Sequence, residues 1–179
     1  MQKPLIDLGF ISSIRRNHGL EHATLNLLGK KVPGSSFIGR SDTKGFWVIG
    51  EVSTDLLLET TQEALKRMKG GEKSLAVHAN CGTNYATAGL IAGTFAWLGS
   101  LGKANSFKKK MDRWPLMVML VTGALIVSQP LGAKVQEKVT TSGEPGNLVV
   151  KQIVRYEGKK APLHRILTGD VTPAAESEA

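Results

Sequence analysis

Two apolar stretches decide the fold: CGTNYATAGLIAGTFAWLGSLG, residues 81–102, and WPLMVMLVTGALIVSQPLGA, residues 114–133. Neither stretch contains a charged side chain. At about 1.5 Å per residue, helices of this length span about 30 Å, which is the thickness of the hydrocarbon core of a bilayer. The sequence therefore predicts a transmembrane helical hairpin over residues 81–133. The alternative is a core hairpin of a water-soluble protein.

The charge of the chain also suits a membrane protein. The formal net charge is +8, and the densest basic run, Lys108, Lys109, Lys110 and Arg113, lies between the two apolar stretches. Anionic lipid headgroups attract a basic run in this position. Because no recognition helix and no basic face with interleaved aromatic residues accompanies it, we expect the lipid bilayer as a partner and no nucleic acid.

The beginning of the chain and its cysteine content indicate the compartment. Residues 1–10 include Lys3, Pro4 and Asp7, so we expect no cleaved signal peptide. The single cysteine, Cys81, excludes an intramolecular disulfide and fits a reducing compartment.

The orientation in the cell membrane is predicted from competing features. Positive-inside counting sets the basic residues of the short loop between the apolar stretches against those that flank the stretches on the other side. The flanks carry more basic residues, and translocating residues 1–80 without a signal peptide is harder than translocating a short loop. We therefore expect two crossings, with the soluble domain and both termini in the cytoplasm.

Residues 1–80 are expected to form a small soluble α+β domain. The patterning predicts helix, strand, strand, helix and strand in the order αββαβ. These elements cover about Leu5 or Ser12 to Leu28, Ser36–Ile38, Phe46–Val52, Thr54–Lys69 and Ser74–His78.

The last part of the chain, residues 134–179, has the pattern of a second β-hairpin followed by a disordered tail. Its strand-like runs are Leu148–Tyr156 and Leu163–Thr168, and the tail begins near Pro173. Two crossings would return this hairpin to the side of the first domain, so we expect it to pack there and to extend the same sheet.

The first helix carries the motif His18-Gly19-Leu20-Glu21-His22. At 100° per residue, His22 lies 40° from His18 and Glu21 lies 60° to the other side, so the three side chains share one face. Two imidazoles one turn apart can bind one zinc ion, and a neighbouring carboxylate can deprotonate a zinc-bound water. The alternative is a helix whose histidines are hydrogen-bonded within an apolar core.

Residues 15–68 resemble the pitrilysin-type zinc peptidase domain, in which an HxxEH helix precedes a Gly-Lys-Lys and Pro-Gly turn, as in HGLEHATLNLLGKKVPG. The resemblance implies that His18 and His22 ligate zinc and that Glu21 is the general base. That family uses a further glutamate some seventy residues downstream. Here the corresponding residues are Phe95, Ala96 and Leu98, so this ligand is missing.

Most of the chain resembles a small bacterial membrane family, a domain of unknown function. The Arg-Asn-His-Gly-Leu-Glu-His-Ala-Thr helix and the Asn-Cys-Gly-Thr-Asn stretch before the membrane carry this resemblance. The resemblance implies a family and no reaction.

His78 and Cys81, in an H-x-x-C spacing, are the residues expected to replace the missing ligand. Together with His18 and His22 they would form a closed, structural His₃Cys zinc site, whereas three ligands with an open position beside Glu21 would form a catalytic one. Ordinary packing of His78 and Cys81 is the alternative. Two further candidate ligands are Glu59 and Glu63, and His164 is expected to be a surface or packing residue.

The first apolar stretch also contains Gly89 and Gly93 in a GxxxG spacing, which lets another helix approach closely. We expect the second apolar stretch to be its nearest partner, with another membrane protein or a second copy as the alternative. Three functions remain open: a membrane protein with a divalent-metal site, a noncatalytic membrane scaffold without metal, and a membrane-anchored zinc metallopeptidase. Whether the protein is an enzyme is undecided; if it is one, we expect a zinc-dependent hydrolase.

Overall fold

A computed structural model describes residues 9–101, 107–158 and 161–171. The predictions for residues 1–8, for part of the loop after Leu101 and for the tail from Pro173 lie outside these ranges. The chain forms two compact units: residues 1–78 with 137–179, and residues 79–136. The protein belongs to the α+β class, with four α-helices and a four-stranded antiparallel sheet among the described residues.

The first helix, α1, covers Gly9–Lys31. It continues past Gly29, where we expected it to end, and stops two residues before Pro33, which disfavours helix at the residue that precedes it. The apolar face of α1 includes Leu20 and Leu28, which are completely buried. The helix is therefore anchored along its second half, where the HxxEH motif lies.

A hairpin follows α1, as expected, but its first strand begins at Ile38, where the predicted strand ended, and its turn is tighter. Strand β1 covers Ile38–Asp42 and β2 covers Gly45–Ile49, and Asp42 pairs with Gly45 across a two-residue turn. Gly45 has a φ of 144°, a backbone conformation that residues other than glycine rarely adopt.

The second hairpin consists of β3, Leu148–Tyr156, and β4, Leu163–Asp170. The strand order is β1-β2-β4-β3, so β2 pairs with β4 and both hairpins form one antiparallel sheet. A register shift between Val150 and Gln152 marks a β-bulge in β3. Residues far apart in the chain therefore share one core.

The second helix, α2, covers Thr54–Lys69, as the sequence predicts. Ser53 caps it, accepting a hydrogen bond from the backbone N–H of Leu56 at 3.3 Å. Its buried side chains join those of α1 and the sheet in one apolar core. The largest fully buried members of that core are Phe46, Leu20, Leu28, Leu57 and Ile166.

The predicted strand Ser74–His78 is wrong. Residues Lys73–Ala76 form a 3₁₀ turn instead. Side chains of α1 take the place of a neighbouring strand: Asn26 Nδ2 donates to the carbonyls of Leu75 and Val77, and His22 Nδ1 bonds the carbonyl of Ala76. The carbonyls of this segment thus have hydrogen-bond donors without a neighbouring strand. The order of elements in the first domain is therefore αββα and not αββαβ.

The second unit contains α3, Gly82–Ser100, and α4, Phe107–Val135, which runs into one π-helical turn, Gln136–Thr140. The two helices pack through small residues, with Ala92 and Ala124 buried. Gln136 Nε2 donates to Asn84 Oδ1 at 2.5 Å. The packing is therefore close and includes a polar pair at one end.

One helix within the described residues, Met111–Thr140, is long and apolar enough to cross a membrane. The helix α3, predicted to span the membrane over residues 81–102, is less apolar, because Thr83, Asn84 and Thr87 reduce the hydropathy of its first half. The sequence predicted two membrane-spanning helices, and the described residues contain one candidate.

The two apolar stretches pair, as expected, but the glycines of the GxxxG motif do not lie at their contact. A Cβ built at Gly89 or Gly93 would meet no atom within 4 Å. The glycine of α3 that contacts α4 is Gly99, whose Cβ would lie 3.3 Å from Met117. The face of α3 that carries Gly89 and Gly93 is directed away from α4.

Candidate metal centre

Helix α1 places His18 and His22 one turn apart on the same face, as their spacing predicts. Their ring centroids are 4.3 Å apart and the ring planes are inclined at 63°. His22 is buried, with 2% of its surface exposed, and His18 is half-buried. The two imidazoles are thus close enough to bind one ion.

Backbone carbonyls fix the orientation of both rings. His22 Nδ1 lies 2.8 Å from the carbonyl oxygen of Ala76, and His18 Nδ1 lies 3.0 Å from that of Thr140. A carbonyl oxygen can only accept, so each Nδ1 carries the proton and each Nε2 carries the lone pair. Metal-binding histidines commonly have this arrangement, with one nitrogen donating to a carbonyl and the other facing the ion.

A third imidazole, that of His78, has the same tautomer for a related reason. Asn26 uses its amide nitrogen on the carbonyls of Leu75 and Val77, at 3.0 and 2.9 Å. Its amide oxygen therefore faces His78 Nδ1, at 2.7 Å, and accepts a hydrogen bond from the Nδ1–H group. The ring centroids of His78 and His22 are 5.6 Å apart.

Cys81 lies three residues beyond His78 and is the N-cap of α3. Its side chain is buried, and its sulfur accepts a hydrogen bond from the backbone N–H of Thr83 at 3.4 Å. Potential ligand atoms of His18, His22 and Cys81 all lie within 4.8 Å of one another. Around a tetrahedral zinc ion such atoms are about 3.3 to 3.7 Å apart, which is shorter than that limit.

Neither His78 nor a carboxylate belongs to this group of three. The carboxylate of Glu21 is directed to β1, where it accepts a hydrogen bond from the Ser41 hydroxyl and lies against the backbone of Gly39. The catalytic role of Glu21 stays a prediction. The other acidic candidates, Glu59 and Glu63, form ion pairs with Lys31.

Gly19, inside the HxxEH motif, has a packing role. A Cβ at this position would overlap the carbonyl of Ser142, whose backbone N–H donates to the Arg15 carbonyl at 2.9 Å. The glycine lets the segment after α4 approach α1, which brings the Thr140 carbonyl to His18. A glycine at position 19 is therefore needed for this packing whether or not a metal ion is bound.

His164 is a packing residue and is completely buried on β4, so it does not lie at the surface. Its Nε2 lies 3.3 Å from the Thr54 hydroxyl, and its Nδ1 has no hydrogen-bond partner within the described part of the chain. Burial lowers the pKa of His164, and the nearby positive charge of Arg155 lowers it further. The neutral form is therefore favoured in the folded protein.

Sequence reasoning missed the groups that orient the imidazoles. These are the carbonyls of Ala76 and Thr140 and the side chain of Asn26. One signal was available: Asn26 follows His22 by four residues, as His22 follows His18, so the three share a helix face. The carbonyls could not have been found, since any residue supplies one.

The sequence matches the family model described as Domain of unknown function (DUF6391) over residues 13–153. This match covers α1, the first hairpin, α2, both helices of the second unit and part of the second hairpin. The chain belongs to this family. The DUF6391 model thus includes all four proposed ligand positions, from His18 to Cys81.

A relative of this DUF6391 protein is Uncharacterized protein SYNPCC7002_A1392 from Picosynechococcus sp. (strain ATCC 27264 / PCC 7002 / PR-6). The two are 31% identical over 159 residues, which covers 78% of this chain and 71% of the relative. No solved structure matches the chain. The suspected membership in a family of unknown function is therefore confirmed, and the relationship supplies no activity.

Proposed function

We propose that this DUF6391 protein is a membrane protein with a divalent-metal site, in which His18, His22 and Cys81 bind zinc. The tautomers of the histidines carry the proposal. Two buried or half-buried imidazoles direct Nε2 lone pairs from one helix face, and a thiol belongs to the same group. Imidazole and thiolate ligands together favour zinc over magnesium or calcium, which prefer oxygen.

His78 is the proposed fourth ligand. It lies beside His22 with the same tautomer, and it precedes Cys81 by three residues in the chain. A rotation of this side chain would complete a closed His₃Cys set, which is typical of structural zinc sites. The contacts of Glu21 with Ser41 and Gly39 also favour a structural site over the zinc-peptidase interpretation.

Metal analysis of full-length protein, purified in detergent without chelator, tests this proposal. We expect about one equivalent of zinc, and less than about 0.1 equivalent would contradict it. His22→Ala and Cys81→Ala should lose zinc. His164→Gln is the matched control, because it removes a buried histidine elsewhere and should retain the ion.

Chelator sensitivity separates a metal site from a packing motif. Zinc bound only by the folded state raises the unfolding midpoint, and a strong chelator should cancel this increase in the wild-type protein. His18→Ala should unfold at the same temperature with and without chelator. Glu21→Gln should keep both zinc and chelator sensitivity, because it alters no ligand. If the unfolding midpoint of the wild-type protein does not change when zinc is removed, His18 and His22 have a packing role and do not bind metal.

We propose further that α3 and α4 both lie in the cell membrane. Only 17% of the most apolar part of the Met111–Thr140 helix is buried, whereas a core helix of a soluble protein would be mostly buried. The helix α3 likewise exposes Leu90 by 73% and Trp97 by 62%. Exposed apolar surface of this extent is stable in lipid and not in water.

The proposed orientation places the soluble domain and both termini in the cytoplasm. Labelling of an introduced Ser106→Cys, in a Cys81→Ser background, tests it with a membrane-impermeant thiol reagent. We expect labelling in intact cells. Labelling that requires lysis would place the loop between the helices inside and reverse the orientation.

A second candidate function is assembly through α3. The open space at Gly89 and Gly93 favours it, because a second copy of the chain could pack closely there. Gly93→Leu should then shift a dimer to monomer in detergent without removing zinc. Gly123→Leu on α4, where the space is also open, is the control.

A further inference from the structure

A cavity of about 660 Å³ lies in the first unit, beside the early turns of α1. Three basic side chains, Arg15, Arg16 and Lys73, line it together with the hydroxyls of Ser12 and Ser74. Its volume is within the range of small-molecule sites. We propose that this cavity binds a phosphate group, supplied either by an anionic lipid headgroup or by free phosphate.

Arg15 is the main cation of the proposed site. One of its terminal nitrogens donates to the carbonyl of Lys138 at 3.0 Å, and it forms no ion pair with the described carboxylates. Its neighbour Arg16 is bidentate to Asp170, at 2.5 and 2.9 Å, which neutralises that guanidinium. Arg15 therefore retains its charge beside the cavity.

Unused donors support the assignment. The Nε–H groups of Arg15 and Arg16 are buried and have no hydrogen-bond partner among the residues that the structure describes. An unmet buried donor is costly, and a phosphate oxygen accepts strong hydrogen bonds from guanidinium groups. An anion in the cavity would supply the acceptor that the Nε–H of Arg15 lacks among the described residues.

Two carboxylates set the strength of the site. Glu144 forms an ion pair with Lys73 at the largely exposed rim, and Glu137 also lines the cavity. They oppose a bound anion, so the net attraction depends on Arg15 and on neutral hydroxyl donors. We expect a binding that weakens as salt is added.

The position of the cavity in the chain indicates the lipid source. Its wall from Glu137 to Glu144 directly follows α4. If α4 crosses the bilayer, as proposed above, this wall begins within a few residues of the headgroups. The lipid source rests on that proposal, whereas binding of inorganic phosphate does not.

The test uses full-length protein in neutral detergent with two probes. Inorganic phosphate is added at constant ionic strength, and mixed micelles containing phosphatidylglycerol are compared with micelles containing phosphatidylcholine. Binding is measured by thermal unfolding and native mass spectrometry. Arg15→Gln should weaken binding at least about tenfold, since it removes the charged donor.

Two further variants keep the test decisive if Arg15→Gln fails to fold. Ser12→Asp places a carboxylate in the cavity and leaves Arg15 intact, so it should also abolish binding. Lys30→Gln removes one positive charge from α1 away from the cavity lining and should bind normally.

The two probes distinguish the sources. Binding of phosphatidylglycerol alone identifies a lipid headgroup, and binding of phosphate alone identifies a soluble anion. Either result supports the site if Ser12→Asp abolishes it. Binding of neither probe, or equal binding by Ser12→Asp and the wild type, would overturn the proposal, and zinc content would be unaffected in either case.

Discussion

Gly39 and Glu21 meet where α1 packs on β1. A Cβ at Gly39 would overlap the carboxyl group of Glu21, which is buried with 4% of its surface exposed. The glycine is thus required by a side chain of the HxxEH motif, although the two residues are eighteen positions apart. Only the packing of helix on strand creates this requirement.

We therefore expect Gly39→Ala to destabilise the protein by about 1–3 kcal/mol, because overpacking a buried contact displaces its neighbours. Urea unfolding measures the change. The cost should fall in a Glu21→Ala background, where the overlap is absent, and an unchanged cost there would contradict the contact. Gly29→Ala, in open space on α1, should be neutral or slightly stabilising.

The buried side chain of His164 should make the stability of the protein depend on pH. Burial and Arg155 lower its pKa in the folded state, with a smaller opposing effect from Glu157. Between the folded pKa and the usual value near 6.5, the unfolded chain binds the proton more readily. The free energy of unfolding should therefore fall as the pH decreases below about 6.5 and level off below the folded pKa.

Urea unfolding between pH 7.5 and 5 measures this effect in the presence of chelator, which removes any contribution of metal to the histidines of α1. His164→Gln should show a smaller decrease in stability over the same range. If the variant and the wild type lose stability in parallel, His164 is not responsible for the dependence.

At the scale of elements, the 3₁₀ turn at Lys73–Ala76 depends on α1. Asn26 supplies two donors to its carbonyls and orients His78 with its oxygen. One amide side chain thus fixes both the backbone of this segment and a proposed metal ligand. The predicted strand failed here because a helix side chain satisfied the backbone instead of a neighbouring strand.

Asn26→Asp should destabilise the protein by about 2 kcal/mol or more, because a carboxylate cannot donate to the carbonyls of Leu75 and Val77. Hydrogen exchange of the amides at residues 75–78 should also become faster. Asn147→Asp, the same change at an exposed position, is the matched control and should have little effect. Equal effects of the two changes would contradict the proposed link between α1 and the turn.

At the scale of the whole molecule, the sheet and the apolar core belong to one unit. All four strands and every residue of the main core lie within residues 1–78 and 137–179. The second unit, residues 79–136, contributes none of them. The fold of the first unit is therefore expected to be independent of helices α3 and α4.

Replacing residues 79–136 with a Gly/Ser linker should yield a water-soluble protein that unfolds cooperatively. Circular dichroism and thermal unfolding measure this, and zinc affinity should decrease because Cys81 is lost. Further deletion of residues 144–179 should abolish folding, since β2 would lose its partner β4. An aggregated or molten linker variant would contradict the independence of the unit.

The sequence by itself determined the elements that local patterning controls. Hydropathy periodicity and turn residues located α2 and the first hairpin, and helical spacing placed His18 and His22 on one face. Only the tertiary structure decided that β2 and β4 are the strands that join the two hairpins, that residues 73–76 form a 3₁₀ turn and that Gly89 and Gly93 face away from α4. These features depend on hydrogen bonds and packing between distant residues, such as Asn26 with Leu75 and β2 with β4, and local sequence does not encode which partners meet.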